Sequence, residues 1–175
     1  MNLFRENRYS RINAVNYAKT YALKPNKSFR YFPLVNDSSG DCTNFVSQCL
    51  LAGGAPMIIN QRNPWWYKKN NPQTTSDDTW SVSWAVAHSL YWTIKKNESY
   101  KLPGIKAKEV NDMSLLELGD IIFLENKKGQ VFHSAIVTGF SGGMPLVSHH
   151  SFEALNIPIK KSWDAYKKHY MKIYF

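Results

Sequence analysis

The chain has 175 residues, 43% of them hydrophobic and 14% aromatic, enough for one compact domain over 1–175 and too apolar to stay disordered. Its formal net charge of +9 suits a polyanionic partner or matrix such as nucleic acid, an anionic membrane surface or an acidic cell-wall polymer. The excess is scattered in short clusters such as Lys68-Lys69, Lys127-Lys128 and Lys167-Lys168, with no basic stripe, zinc-finger spacing or RNA-binding aromatic signature, which argues against specific nucleic-acid recognition.

Tyr9 to Leu23 carries Ala14, Tyr17, Ala18 and Tyr21 at helical spacing, and Pro25 marks its end. Met1 to Arg11 holds Arg5, Arg8 and Arg11 and no apolar run, so no secretory signal peptide is expected in this chain. No window approaches the ~20 apolar residues of a membrane span. Lys24 to Gly40 reads as a loop, with Asp37-Ser38-Ser39-Gly40 as its last turn.

A helix is then predicted from Cys42 to Ala52. Asp41 stands at its N-cap, and Gly53-Gly54 supply a left-handed stop. Cys42, Phe45, Val46, Cys49 and Leu50 follow the spacing of one buried face. Within one helix Cys42 and Cys49 lie ~10.5 Å apart at ~1.5 Å per residue, beyond the ~7 Å a disulfide spans. Ala55 to Asp78 is a long irregular segment containing Trp65-Trp66-Tyr67. A third helix is predicted over Thr79 to Lys96, with Trp80, Trp84, Ala87 and Tyr91 on one face.

The C-terminal half changes period. Ser114 to Glu117 reads as a capped turn before Gly119-Asp120, and Ile121 to Leu124 as a buried strand. Asn126 to Gly129 turns the chain. Val131 to Thr138 and Pro145 to His150 are strands separated by a turn at Gly139 to Gly143, and His169 to Phe175 is the last strand. Helices followed by an antiparallel meander make an α+β domain.

Cys42 sits in a first helical turn, where unpaired N–H groups and the helix dipole favour a thiolate. In isolation its ordinary reading is a small buried cysteine. His133 heads an apolar strand and is costly to bury without a partner; taken alone it is an ordinary backbone-bonded histidine. A cysteine hydrolase needs a thiolate, an imidazole, and a third polar group to hold that imidazole. His149 and His150 end the third strand, and since successive strand residues face opposite sides, only one of the two can face as His133 does. The same residues could form a zinc set, but no nearby Asp, Glu or second Cys offers ligand spacing, so no metal or cofactor is assigned. His88 and His169 read as structural or solvated.

Tyr9-Ser10-Arg11 with Ala14-Val15 and Tyr17-Ala18, Asp41-Cys42-Thr43-Asn44-Phe45-Val46-Ser47-Gln48-Cys49, Gly53-Gly54, Ser83-Trp84, Gly119-Asp120, His133, and Pro145-Leu146-Val147 with the following His-Ser resemble the bacterial "putative amidase domain" family, a papain-like, NlpC/P60-related group of cysteine hydrolases. The segment around Cys42 is the specific part of that resemblance; residues after Ser151 add little to it. The resemblance implies a papain-like fold with N-terminal helices on a C-terminal antiparallel sheet. It implies Cys42 as nucleophile, His133 as general base and acid, and His150, followed by Ser151, as the orienting residue, with His149 the competing choice. It further implies an oxyanion met by backbone N–H groups at the start of the Cys42 helix, capped by Asp41, and Ser83 and Trp84 as substrate-binding positions, Trp84 fitting a core role equally well. The substrate class it implies is amide bonds in cell-wall peptides. With no export signal expected, the localisation is left open between release by lysis, excision from a larger exported protein and action inside the cell. A thiolate–imidazolium pair would give a bell-shaped pH profile. The other readings are a non-catalytic wall-binding module, supported by the aromatic-rich Ala55 to Trp84 region, and an acyltransferase using the same acyl-enzyme.

Overall fold

The structure is a computed structural model that describes residues 9–35 and 40–175. Met1 to Arg8 and the Asp37 to Ser39 part of the expected turn lie outside the described residues. Helix α1 (Arg11–Tyr21) starts at Ser10, whose hydroxyl accepts the Asn13 N–H at 3.3 Å, and buries Ala14, Val15 and Ala18. Helix α2 (Cys42–Ala52) has the predicted bounds. Gly54 at φ 93 provides the left-handed stop after it. Gly53 is needed for another reason: a Cβ there would overlap the Tyr9 ring.

The irregular segment closes on itself through a two-residue pairing of β1 (Tyr67–Lys68) with β2 (Thr79–Trp80). This pairing shortens the predicted third helix. Ser81 N–H bonds Trp66 O at 3.0 Å, and the helix begins only after it, as α3 (Val82–Ala85). Val86 is extended, with φ −118 and ψ 121, and separates α3 from α4 (Ala87–Ser99). Trp80 therefore leaves the helical face to which its spacing assigned it.

The sheet has six antiparallel strands: β3 (Lys106–Val110), β4 (Ile121–Glu125), β5 (Val131–Ser141), β6 (Met144–His149), β7 (Ala154–Pro158) and β8 (Lys167–Tyr174). Their order is β3-β8-β4-β5-β6-β7, so β4 to β7 form a meander and β8 lies between β3 and β4. The fold is α+β, as expected. A 3-10 turn at Met113–Leu115, capped by Asp112, precedes β4. Strand β5 runs past Gly139, where the register to β6 shifts, and the turn falls at Gly142-Gly143, both left-handed.

Ile121, Phe123, Ile136 and Met171 pack with the helices on one side of the sheet. Ile122, Leu124, Ala135, Val137 and Val147 pack on the other with Leu116, Ile159 and Trp163 from the connecting segments. Arg11 ties α1 to this sheet. Its guanidinium donates to Asp120 Oδ1 at 2.5 Å, Leu118 O at 2.8 Å and Ile173 O at 3.0 Å. Tyr9 Oη donates to Gly119 O at 2.7 Å. Asp120 is fully buried, and burial raises its pKa against the opposing pull of Arg11 and backbone N–H groups. The Tyr9, Arg11, Gly119 and Asp120 positions are thus the joint between helix and sheet.

Candidate active site

The start of α2 is held by polar contacts from three directions. Asp41 is buried, and its side chain makes no capping bond to the helix; it accepts instead from Phe32 N at 2.9 Å, Asn44 Nδ2 at 2.8 Å and His150 Nδ1 at 2.5 Å. The group at the helix N–H groups is Ser151 Oγ, which accepts from Asp41 N at 2.8 Å and Cys42 N at 3.2 Å. Cys42 is 8% exposed, and its Sγ lies 3.6 Å from Thr43 Oγ1. Thr43 Oγ1 also meets Ser134 Oγ at 3.1 Å, docking α2 on β5 one residue beyond both Cys42 and His133. Cys42 and Cys49 are both free thiols; burial pushes the Cys49 thiol up, away from the reactive form.

His133 stands opposite Leu124, and the register then slips so that Glu125 pairs with Val131, leaving Phe132 as the extra residue of a bulge. Phe132 and His133 both reach the same cavity as Cys42, a space of about 840 Å³ with Phe32, Trp80, Val86, Ser151, Trp163 and Asp164 in its walls. Among the described residues no hydrogen bond joins Cys42 to His133; what they share is the cavity. His133 is 2% exposed, its Nε2 has no hydrogen-bond partner, and burial pushes its pKa down to about 3. That opposes the imidazolium half of the ion pair expected from the sequence.

His149 and His150 diverge. The His149 ring meets His133 edge-on, with centroids 4.7 Å apart and planes at 90°. Its Nδ1 donates to His150 O at 3.2 Å, and its Nε2 accepts from Ser162 Oγ at 3.1 Å. Burial and then the neighbouring His133 lower its pKa to about 3. His150 turns to the helices. It stacks on Phe45 at 4.1 Å, and its second nitrogen, Nε2, donates to Tyr21 O at 2.9 Å. Both its partners, Asp41 and Tyr21 O, are acceptors, so neither nitrogen is left to hold His133. His150, the residue expected to orient His133, is therefore committed to Asp41 and Tyr21 O, and the ring beside His133 is His149.

Ser83 and Trp84 do not line this cavity. Ser83 Oγ donates to Pro64 O and lies 3.1 Å from Ser81 Oγ. Trp84 is fully buried among Phe29, Trp65 and Tyr67. Its Nε1 donates to Asn44 Oδ1 at 2.7 Å and its carbonyl accepts from Ser47 Oγ at 2.8 Å, bracing α2 from within. The tryptophans in the cavity walls are Trp80 and Trp163, beside Phe32 and Phe132. Trp163 lay in the stretch with no motif, and Trp80 was legible only as a helical residue. His88 accepts from Val131 N at 3.2 Å, and buried His169 bridges Glu109 and Glu125 at 2.6 and 3.0 Å, so both are structural. Among the described residues no three His, Cys, Asp or Glu side chains come together as a metal set, and no helix is long and apolar enough to cross a membrane.

Residues 8–174 match the family described as "Putative amidase domain". The chain belongs to this family. It is 35% identical over 150 residues to the uncharacterized protein YhbB of Bacillus subtilis (strain 168), covering 83% of this chain and 42% of that protein. It is 36% identical over 159 residues to the uncharacterized protein YjcM of the same organism, covering 86% of this chain and 32% of that protein. The chain thus spans less than half the length of these curated relatives. No solved structure matches it. Family membership points to amide hydrolysis as the chemistry class.

Proposed function

We propose that this domain is a papain-like cysteine amidase or peptidase in which Cys42 is the nucleophile, His133 the base and acid, and His149 the group that orients His133. The observation that carries this reading is the opening of Cys42 and His133 into one aromatic-walled cavity. Because burial favours the neutral imidazole, His133 rests uncharged and able to accept a proton. Substrate brings the thiol from the Thr43 hydroxyl toward His133, which takes its proton as the sulfur attacks the amide carbon. The same proton passes to the departing amine, leaving a thioester on Cys42. Water, deprotonated by His133, then releases the acid and restores the thiol. The ring of His149, packed edge-on, limits rotation of His133.

The substrate class we infer is the amide bonds of cell-wall peptides. The net charge of +9 supports retention on an anionic wall matrix. The test is incubation with purified peptidoglycan and identification of fragments by mass. The wild-type protein should release peptides with a new amine and a new carboxylate, and Cys42→Ala should release none. Turnover that survives Cys42→Ala overturns the mechanism; an intact wall after incubation with wild type overturns the substrate class.

A further inference from the structure

We propose that the Ser151 hydroxyl donates to the oxyanion, and that the buried Asp41–His150 pair exists to hold it there. This rests on Cys42 being the nucleophile. The backbone N–H of Cys42, the obvious oxyanion donor of a cysteine at a helix start, is already bonded to Ser151 Oγ, as is the N–H of Asp41. An oxygen that accepts two N–H bonds at the positive end of a helix is a polarised donor through its own hydrogen. Among the described residues no acceptor takes that hydrogen, and Ser151 and Cys42 both line the cavity.

The placement is over-determined. Ser151 has φ 82, a backbone region that non-glycine residues rarely adopt. Gly40 faces it, and a Cβ on Gly40 would overlap Ser151 Oγ. His150 and Asp41 each precede one of the paired residues, Ser151 and Cys42, so their 2.5 Å bond fastens the two segments at the reacting end. Stacking on Phe45 and the bond to Tyr21 O fix the imidazole in turn. The His-Ser dipeptide thus serves the oxyanion side of the reaction and not the imidazole side.

In the step, the Cys42 sulfur forms a bond to the carbonyl carbon and the C=O π pair moves onto oxygen. That oxygen accepts a hydrogen bond from Ser151 Oγ–H, which keeps its proton throughout. When the C–N bond breaks, the pair returns to the carbonyl and the amine leaves with the proton carried by His133. Ser151 is then a catalytic residue; Asp41 and His150 are positioning residues.

Two reactions of the same thiol separate this role from a structural one. Alkylation by iodoacetamide displaces iodide and forms no oxyanion; acylation by p-nitrophenyl acetate passes through one. Ser151→Ala should slow acylation of Cys42 by about 10²-fold or more, the effect of losing one oxyanion donor, with the alkylation rate within about threefold of wild type. Ser151→Gly, which relieves the left-handed backbone, should behave alike and keeps the test usable if the alanine variant misfolds. Asp41→Asn, still able to accept from His150, should keep the ratio of the two rates, and Asp41→Ala should lower it. The proposal is overturned if both rates fall together in the serine variants, or if neither falls. A wild-type protein whose acylation maps away from Cys42 defeats the cysteine reading itself, a separate outcome.

Discussion

Acid should unfold this protein early, and two histidines set the slope. Burial holds the pKa of His133 and of His149 at about 3, against 6.5 in the unfolded chain. Each is neutral when folded and charged when unfolded in the interval between, so the unfolded state binds more protons there and stability falls as pH falls. The contribution is intact above pH 6.5 and diminishes steadily toward pH 3. From pH 6 to pH 5 an unfolded histidine is already mostly protonated, rising from about three-quarters of a proton to nearly one, while the folded one carries almost none. For two residues the loss is about 2 kcal/mol over that single unit. Carboxylates are ionised in the unfolded chain across this interval, so the histidines dominate it. Urea denaturation at pH 6.0, 5.5 and 5.0 reads the effect directly as a falling midpoint at constant slope. The double variant His133→Gln/His149→Gln starts less stable, with most of the pH dependence gone. A double variant that loses stability with acid as steeply as wild type would refute the reasoning.

Trp84→Phe keeps most of the ring but leaves Asn44 Oδ1 without its donor, and should cost about 1–3 kcal/mol in urea unfolding. Arg11→Ala leaves Asp120 buried with only backbone donors, and should cost about 2 kcal/mol, with a smaller cost at pH 4 than at pH 7 because protonation relieves the unpaired charge. The acid limb of kcat/KM should lie well below pH 6.5, since protonating His133 in the free enzyme is opposed by burial; an acid limb at pH 6.5, removed by His133→Gln, would show a solvated imidazole.

The parts of this architecture that bury a strong pattern were legible. Helix α2 has a complete apolar face, a polar cap position and a glycine stop, and its bounds follow from those residues. The inner strands β4, β5 and β6 carry continuous apolar runs. The edge strands β3 and β7 were not legible, because an edge buries little: Lys106–Val110 contains three charged residues, and among its five only Ala107 is buried. The third helix was over-extended since Trp80, Trp84, Ala87 and Tyr91 fit one face, and the pairing of β1 with β2 that removes Trp80 is a tertiary event. At the site, strand alternation requires that His149 and His150 part, but it leaves open which faces His133. That is decided by Asp41 and Tyr21 O, which bind His150 from segments distant in sequence.

The central claim is that Cys42 becomes acylated with the help of His133. Reaction of the wild-type protein with an activated ester, quenched in acid and mapped by peptide mass, should place the acyl group on Cys42 as a thioester that disappears in water at neutral pH. His133→Gln should slow both its formation and its loss by about 10²-fold or more. An acyl group found on Cys49, or a Cys42 thioester that forms and hydrolyses equally fast in His133→Gln, would contradict the account.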